Sequence, residues 1–170
     1  MHHFSFMARF NAWVNEKLYA CVAELDEPRY RADSGLFFGS VHATLNHILV
    51  VDRLWTGRIQ GIDRGVRSLD QILYDDFPSL RAARREEDAN IVALMDRLSE
   101  TDLQSAVRFW TVKRDKQIEA RRWDLLTGLF NHQTHHRGQV YAVLLQAGLS
   151  LPDIDVVYYL EETGQVRHVA

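Results

Sequence analysis

The run Asn131-His132-Gln133-Thr134-His135-His136-Arg137-Gly138-Gln139 places two histidines four residues apart in a long helical stretch. Positions four apart share a helix face, so His132 and His136 point the same way, one turn from each other. Imidazoles at that spacing can chelate a divalent metal through neutral ring nitrogens. Leu125, Leu129, Val140 and Val143 recur in phase with them, which turns both rings toward the core, whereas His135 falls off the stripe. Two imidazoles facing an apolar interior need partners. A metal would satisfy both; the alternative is that each bonds a backbone carbonyl or a buried carboxylate.

A third histidine, His47, belongs to a separate helical segment and shares a face with Thr44, Val51 and Leu54. Three nitrogen ligands from two helices would leave at least one coordination position open, which separates a reactive site from a structural one. Nitrogen donors suit zinc, nickel, iron or copper alike. Around this set, Gln139 stays close to the histidine stripe and is the better candidate to orient a ligand. Arg137 points further round the helix and fits a surface ion pair as well as a role beside the site. Asp52, about one turn from His47, reads first as a helix-surface acid paired with an arginine and otherwise as a group orienting the site. His42 is expected to face solvent.

Other chemistries lack their motifs. The residue after His132 is Gln133, so the His-Glu-x-x-His pattern of zinc peptidases is not met, and no Gly-x-Ser-x-Gly, phosphate-binding glycine loop or dinucleotide fingerprint occurs. Catalysis would then fall to the metal, which lowers the pKa of a bound water or thiol and polarises carbonyls.

Four long amphipathic segments must position these residues. The first runs from about Phe4 to Leu25 and stops at Asp26-Glu27-Pro28; residues 29–39 read as a loop. Ser40 caps a second helix reaching about Gly57, with a glycine-rich loop to Gly65. Ser68 to Phe77 reads as a short helix or extended connection. A third helix spans about Pro78 to Ser99, its Arg81, Arg84, Arg85, Glu86, Glu87 and Asp88 forming a largely solvated face. Alternation through Val107, Phe109 and Thr111 predicts a short hairpin or extended excursion within residues 105–122. The fourth helix follows from Arg122 to Ala147, stopped by Gly148, and a closing helix over Asp153–Glu161 should pack two tyrosines over one end. The fold class is all-α, a four-helix bundle, and residues 1–170 make one domain.

The composition, 46% hydrophobic and 25% charged, is that of a soluble globular protein. Its single cysteine, Cys21, allows no intramolecular disulfide and sits among packing residues. With no leader-like segment at Met1 and no apolar run of membrane-spanning length, a cytoplasmic protein without membrane association is expected. A net charge of −3 does not support a basic nucleic-acid surface, although Arg108, Arg114, Arg121 and Arg122 could contact an acidic partner.

Phe10-Asn11-Ala12-Trp13-Val14-Asn15, Ser40-Val41-His42-Ala43-Thr44-Leu45-Asn46-His47-Ile48, the following Trp55, and the 131–139 block together resemble the DinB family, in the right order over almost the whole chain. The resemblance implies an up-down-down-up four-helix bundle, frequently dimeric, with a divalent metal held by His47, His132 and His136. It also implies kinship with thiol-dependent S-transferases, hence a small-molecule substrate and a low-molecular-weight thiol as a candidate cofactor. The second expectation is a non-catalytic interaction protein in which metal staples two helices.

Overall fold

Residues 2–167, which the computed structural model describes, form seven helices and a two-stranded sheet. Met1 and the last three residues of the expected 1–170 domain lie outside them.

Helix α1 (His3–Val22) ends three residues earlier than the sequence predicts. Asp26-Glu27-Pro28 does not merely end a helix but opens α2 (Glu27–Arg31). Asp26 accepts from the Arg29 amide at 2.8 Å, and Pro28 occupies the first turn, where no amide donor is required. Ser40 caps α3 (Val41–Gln60), accepting from the Ala43 amide at 3.1 Å. This helix passes through Gly57 and stops at Gly61, whose φ of 71° is the left-handed conformation glycine adopts without strain.

Residues 62–76 contain no helix and lie along α3. Helix α4 (Phe77–Arg97) follows an Asp76 cap, then a short α5 (Glu100–Gln104) that periodicity does not reveal. The expected hairpin is present: β1 (Ala106–Trp110) pairs antiparallel with β2 (Gln117–Arg121), Phe109 opposite Ile118. Helix α6 (Arg122–Gln146) carries the paired histidines. In α7 (Val156–Glu162), Tyr159 packs on Phe6, Phe10 and Trp13 with ring centroids 5.6–5.8 Å apart. Tyr158 stays exposed, so one tyrosine, not two, closes that side.

Each long helix packs on two others, α1 on α4 and α6, and α3 on α4 and α6. Two apolar clusters result within the bundle, beside a smaller third one of Val107, Phe109 and Leu125 under the hairpin. One joins the C-terminal parts of α1 and α6 to the N-terminal parts of α3 and α4 through Leu18, Leu45, Leu80 and Leu144. The other joins the opposite ends through Phe4, Ile59, Met95 and Leu126. Each fully buried side chain of this size contributes roughly 1.5–3 kcal/mol relative to exposure.

A polar belt separates the clusters, with residues from all four long helices. Arg84 is 2% exposed, bonded to Asp52 and 3.0 Å from Asp88. Asn15 donates to Asp88 at 2.9 Å, and Arg137 donates to Asn11, to Asn15 at 3.1 Å and to Gln133 at 2.9 Å. Glu87, also buried, accepts from Thr56 at 3.1 Å and Arg64 at 2.7 Å. The expected solvated face of α4 is therefore wrong at Arg84, Glu87 and Asp88, which turn inward because each is neutralised there: Arg84 by Asp52 of α3, Asp88 by Arg84 itself, and Glu87 by Arg64 from the segment after α3. No helix among the described residues is long and apolar enough to cross a membrane.

Candidate metal centre

At the level of the belt, α3 and α6 bring His47, His132 and His136 together. One ligand atom from each lies within 4.8 Å of the others, and no other such group of histidine, cysteine or carboxylate side chains occurs among the described residues. The ring centroids are 4.5–5.0 Å apart, and His47 Nε2 is 3.0 Å from His132 Nε2.

Hydrogen bonds fix how the rings present their nitrogens. The Leu69 carbonyl can only accept, so its 2.7 Å contact makes His47 Nδ1 the donor and leaves the lone pair on Nε2. His136 Nδ1 likewise donates to Gln139 Oε1 at 2.8 Å. Such outer bonds commonly set the tautomer of metal-ligating histidines. His132 Nδ1 is buried without a partner.

Burial also keeps the rings neutral. It lowers the pKa of His47 to about 4 against the opposing bond to Leu69. It lowers that of His132 to about 3, with His136 and His47 adding repulsion. His136 is lowered by burial, partly offset by its bond to Gln139. His47 and His136 thus turn Nε2 lone pairs inward, and their repulsion is offset where a cation, or a proton on His132 Nε2, lies between the rings. Two nitrogens each about 2.0–2.1 Å from one ion would stand roughly 2.8–3.4 Å apart for bond angles between octahedral and tetrahedral, a range that includes the observed 3.0 Å. The donor set fits a borderline divalent ion of the zinc, nickel or iron type.

The surroundings differ from the sequence expectation in three places. Asp52 is neither on the surface nor at the histidines: it is 0% exposed, and burial, opposed by Arg84, raises its pKa to about 6. Arg137 makes no surface ion pair but lies buried in the belt, where burial lowers its pKa to about 10. His42 is buried, 3.1 Å from the Tyr74 carbonyl, because residues 62–76 cover that side of α3. Gln139 takes the place expected of it, also linking to the exposed His135 at 3.3 Å.

Two contributors escape the sequence pattern. Phe38, from the loop before α3, stacks on His47 with centroids 3.7 Å apart and meets His136 edge-on at 5.7 Å. Its signal is the Phe37-Phe38 pair beside the cap of the histidine-bearing helix. The Leu69 carbonyl is a backbone group, which no residue type marks.

Comparison with known proteins agrees with this architecture. Protein DinB of Bacillus subtilis is 24% identical over 173 residues, covering 94% of this chain and 95% of that one. A solved DinB-like protein from Bacillus subtilis superposes with a TM-score of 0.66 at 16% identity, covering 88% of this chain and 97% of the other. One from Bacillus cereus gives 0.62 at 22% identity, covering 83% and 91%. These likenesses show a shared fold. The DinB family description matches residues 1–167, and the chain belongs to that family.

Proposed function

We propose that this protein is a metal-dependent enzyme of the DinB family, in which His47, His132 and His136 bind one divalent ion within an up-down-down-up four-helix bundle. The bundle reading rests on the two clusters, where the C-terminal ends of α1 and α6 meet the N-terminal ends of α3 and α4. The observation that carries the metal reading is the convergence of three neutral imidazoles, two with Nδ1 tied to an outer acceptor. With three protein ligands, the ion keeps a position for a reactant and lowers the pKa of a water or low-molecular-weight thiol bound there.

The chain's own residues position that chemistry. Leu69 and Gln139 orient the rings, and Phe38 stacks on one face of His47. In this reading a small-molecule electrophile accepts the activated thiol or water, and the protein works in the cytoplasm as a homodimer. The test is cobalt-substituted, tag-free protein titrated with glutathione. A thiolate-to-metal charge-transfer band that is absent in His136→Ala supports thiol activation, and an unchanged spectrum refutes it.

A second reading has the metal stapling α3 to α6 without catalysis, favoured by the ligands' coming from two helices packed together. Large thermal destabilisation by a chelator, with no thiol-dependent turnover, selects it.

A further inference from the structure

Beyond the C-terminal end of α3 lies a cleft of about 280 Å³, walled by that helix, residues 61–67 and the hairpin. Five guanidinium groups line it, Arg58, Arg64, Arg67, Arg108 and Arg114, with Asp63 the one acid among its lining residues. Arg64 is bonded to Glu87 and Arg108 to Glu119, while Asp63 is shared by Arg67 at 3.0 Å and Arg114 at 3.6 Å. Five cations thus meet three carboxylates.

Arg58 has no carboxylate partner among the described residues. Its guanidinium lies 4.7 Å from the Trp55 ring and 4.5 Å from the Phe109 ring, with Nη2 donating to the Trp110 carbonyl at 3.0 Å. A cation held by aromatic faces and one carbonyl is oriented but not neutralised. Gly57 brings the facing segment in: a Cβ there would meet Ile62 O and Arg64 Cγ at 2.7 Å.

We propose that this cleft binds the anionic end of a small molecule, a phosphate or carboxylate, with Arg58, Arg67 and Arg114 supplying the donors. Guanidinium groups match both anions because their forked N–H donors engage paired oxygens. The observations favour a small anion over a polynucleotide. The cleft is short, Asp63 interrupts its basic lining, and neither Arg121 nor Arg122 joins it: Arg121 pairs with Asp124, and Arg122 donates to the Asp102 carbonyl and Ser105.

Leu54 lines the cleft two turns beyond His47 on the same face, about 10 Å along the axis. Arg67 is two residues before Leu69, whose carbonyl holds His47. A molecule anchored by its anion could therefore reach the histidines with its other end. That link rests on the proposed metal function; anion binding does not.

The test is a ¹H–¹⁵N titration of metal-free protein with inorganic phosphate at constant ionic strength, following the Arg58 Nε–H and Trp110 indole signals. The expected result is a saturable shift of these signals, weakened at least about tenfold in Arg58→Gln, the effect of losing one charge-assisted hydrogen bond. Arg114→Gln, on the exposed hairpin turn, should weaken it too and serves if Arg58→Gln fails to fold. Equal affinity in whichever variant folds, or equal shifts at Arg31 and Arg121, would overturn the proposal. So would tighter binding of a short single-stranded oligonucleotide that survives Arg58→Gln. His136→Ala should bind phosphate like the parent, so the cleft can fail or stand apart from the metal centre.

Discussion

Removing the charge of Arg84, and separately that of Asp52, tests whether the polar belt sets the stability of the fold. Asp52 and Arg84 are 0% and 2% exposed, so neither can turn to water when its partner is lost. Deleting one member of a buried ion pair costs about 3–5 kcal/mol. In Asp52→Asn the amide resembles the protonated acid that burial favours, and Arg84 keeps Asp88 at 3.0 Å, so the loss should be small, within about 1 kcal/mol. Arg84→Met leaves both Asp52 and Asp88 without that cation and should reach the upper bound of about 5 kcal/mol. For a domain of this size the Arg84→Met loss lowers Tm by roughly 10–20 °C.

The assay is urea unfolding followed by circular dichroism at pH 7 and again across pH 4–7. Burial raises the folded-state pKa of Asp52 to about 6, against about 3.9 unfolded. Between those values the folded state holds a proton that the unfolded state lacks. This carboxyl's stabilising contribution is therefore full below pH 4 and lost as pH rises through 6, at up to about 1.4 kcal/mol per unit. The histidines have the opposite sign, because their folded pKa values are depressed: their contribution grows as pH rises from about 4 to 6.5. The difference between parent and Asp52→Asn isolates the carboxyl and should shrink with rising pH more weakly than the histidine trend grows. A loss below about 1 kcal/mol in Arg84→Met, or Asp52→Asn costing more than Arg84→Met, would refute the reasoning.

Two further outcomes are expected. Gln139→Leu removes the acceptor for His136 Nδ1 and should weaken divalent-metal affinity by about 10- to 100-fold in a competitive chelator titration while leaving the helical circular dichroism intact. Gly57→Ala forces a Cβ against the Ile62 carbonyl and should destabilise by about 1–3 kcal/mol, with amide shifts confined to residues 61–67.

Helical periodicity carried the four long helices and the histidine pair, because apolar spacing and a four-residue ligand spacing are local properties of one segment. The alternation in Val107 and Phe109 likewise gave the hairpin, whose inward residues are those two. Charge gives no such local signal where neutralisation is nonlocal. Arg84 and Asp88 look like an exposed i,i+4 pair, and nothing nearby in the chain announces Asp52 on another helix. A signal was nonetheless present: Asn11 and Asn15 continue the stripe of Ala8 and Leu18, so polar groups occupy core positions. Pro28 was ambiguous because proline both ends one helix and suits the first turn of the next. Phe38 and the Leu69 carbonyl reach the site through connections whose path over α3 is set by packing, not by local pattern.

The central claim is that His47, His132 and His136 share one divalent ion. Elemental analysis of tag-free protein, incubated in turn with zinc, nickel and iron(II) and then desalted, measures this directly. About one tightly held ion per chain is expected in the parent, with loss of most of it in both His47→Ala and His136→Ala at preserved helical content. A parent that retains none of the three metals, or variants that retain as much as the parent, would contradict it.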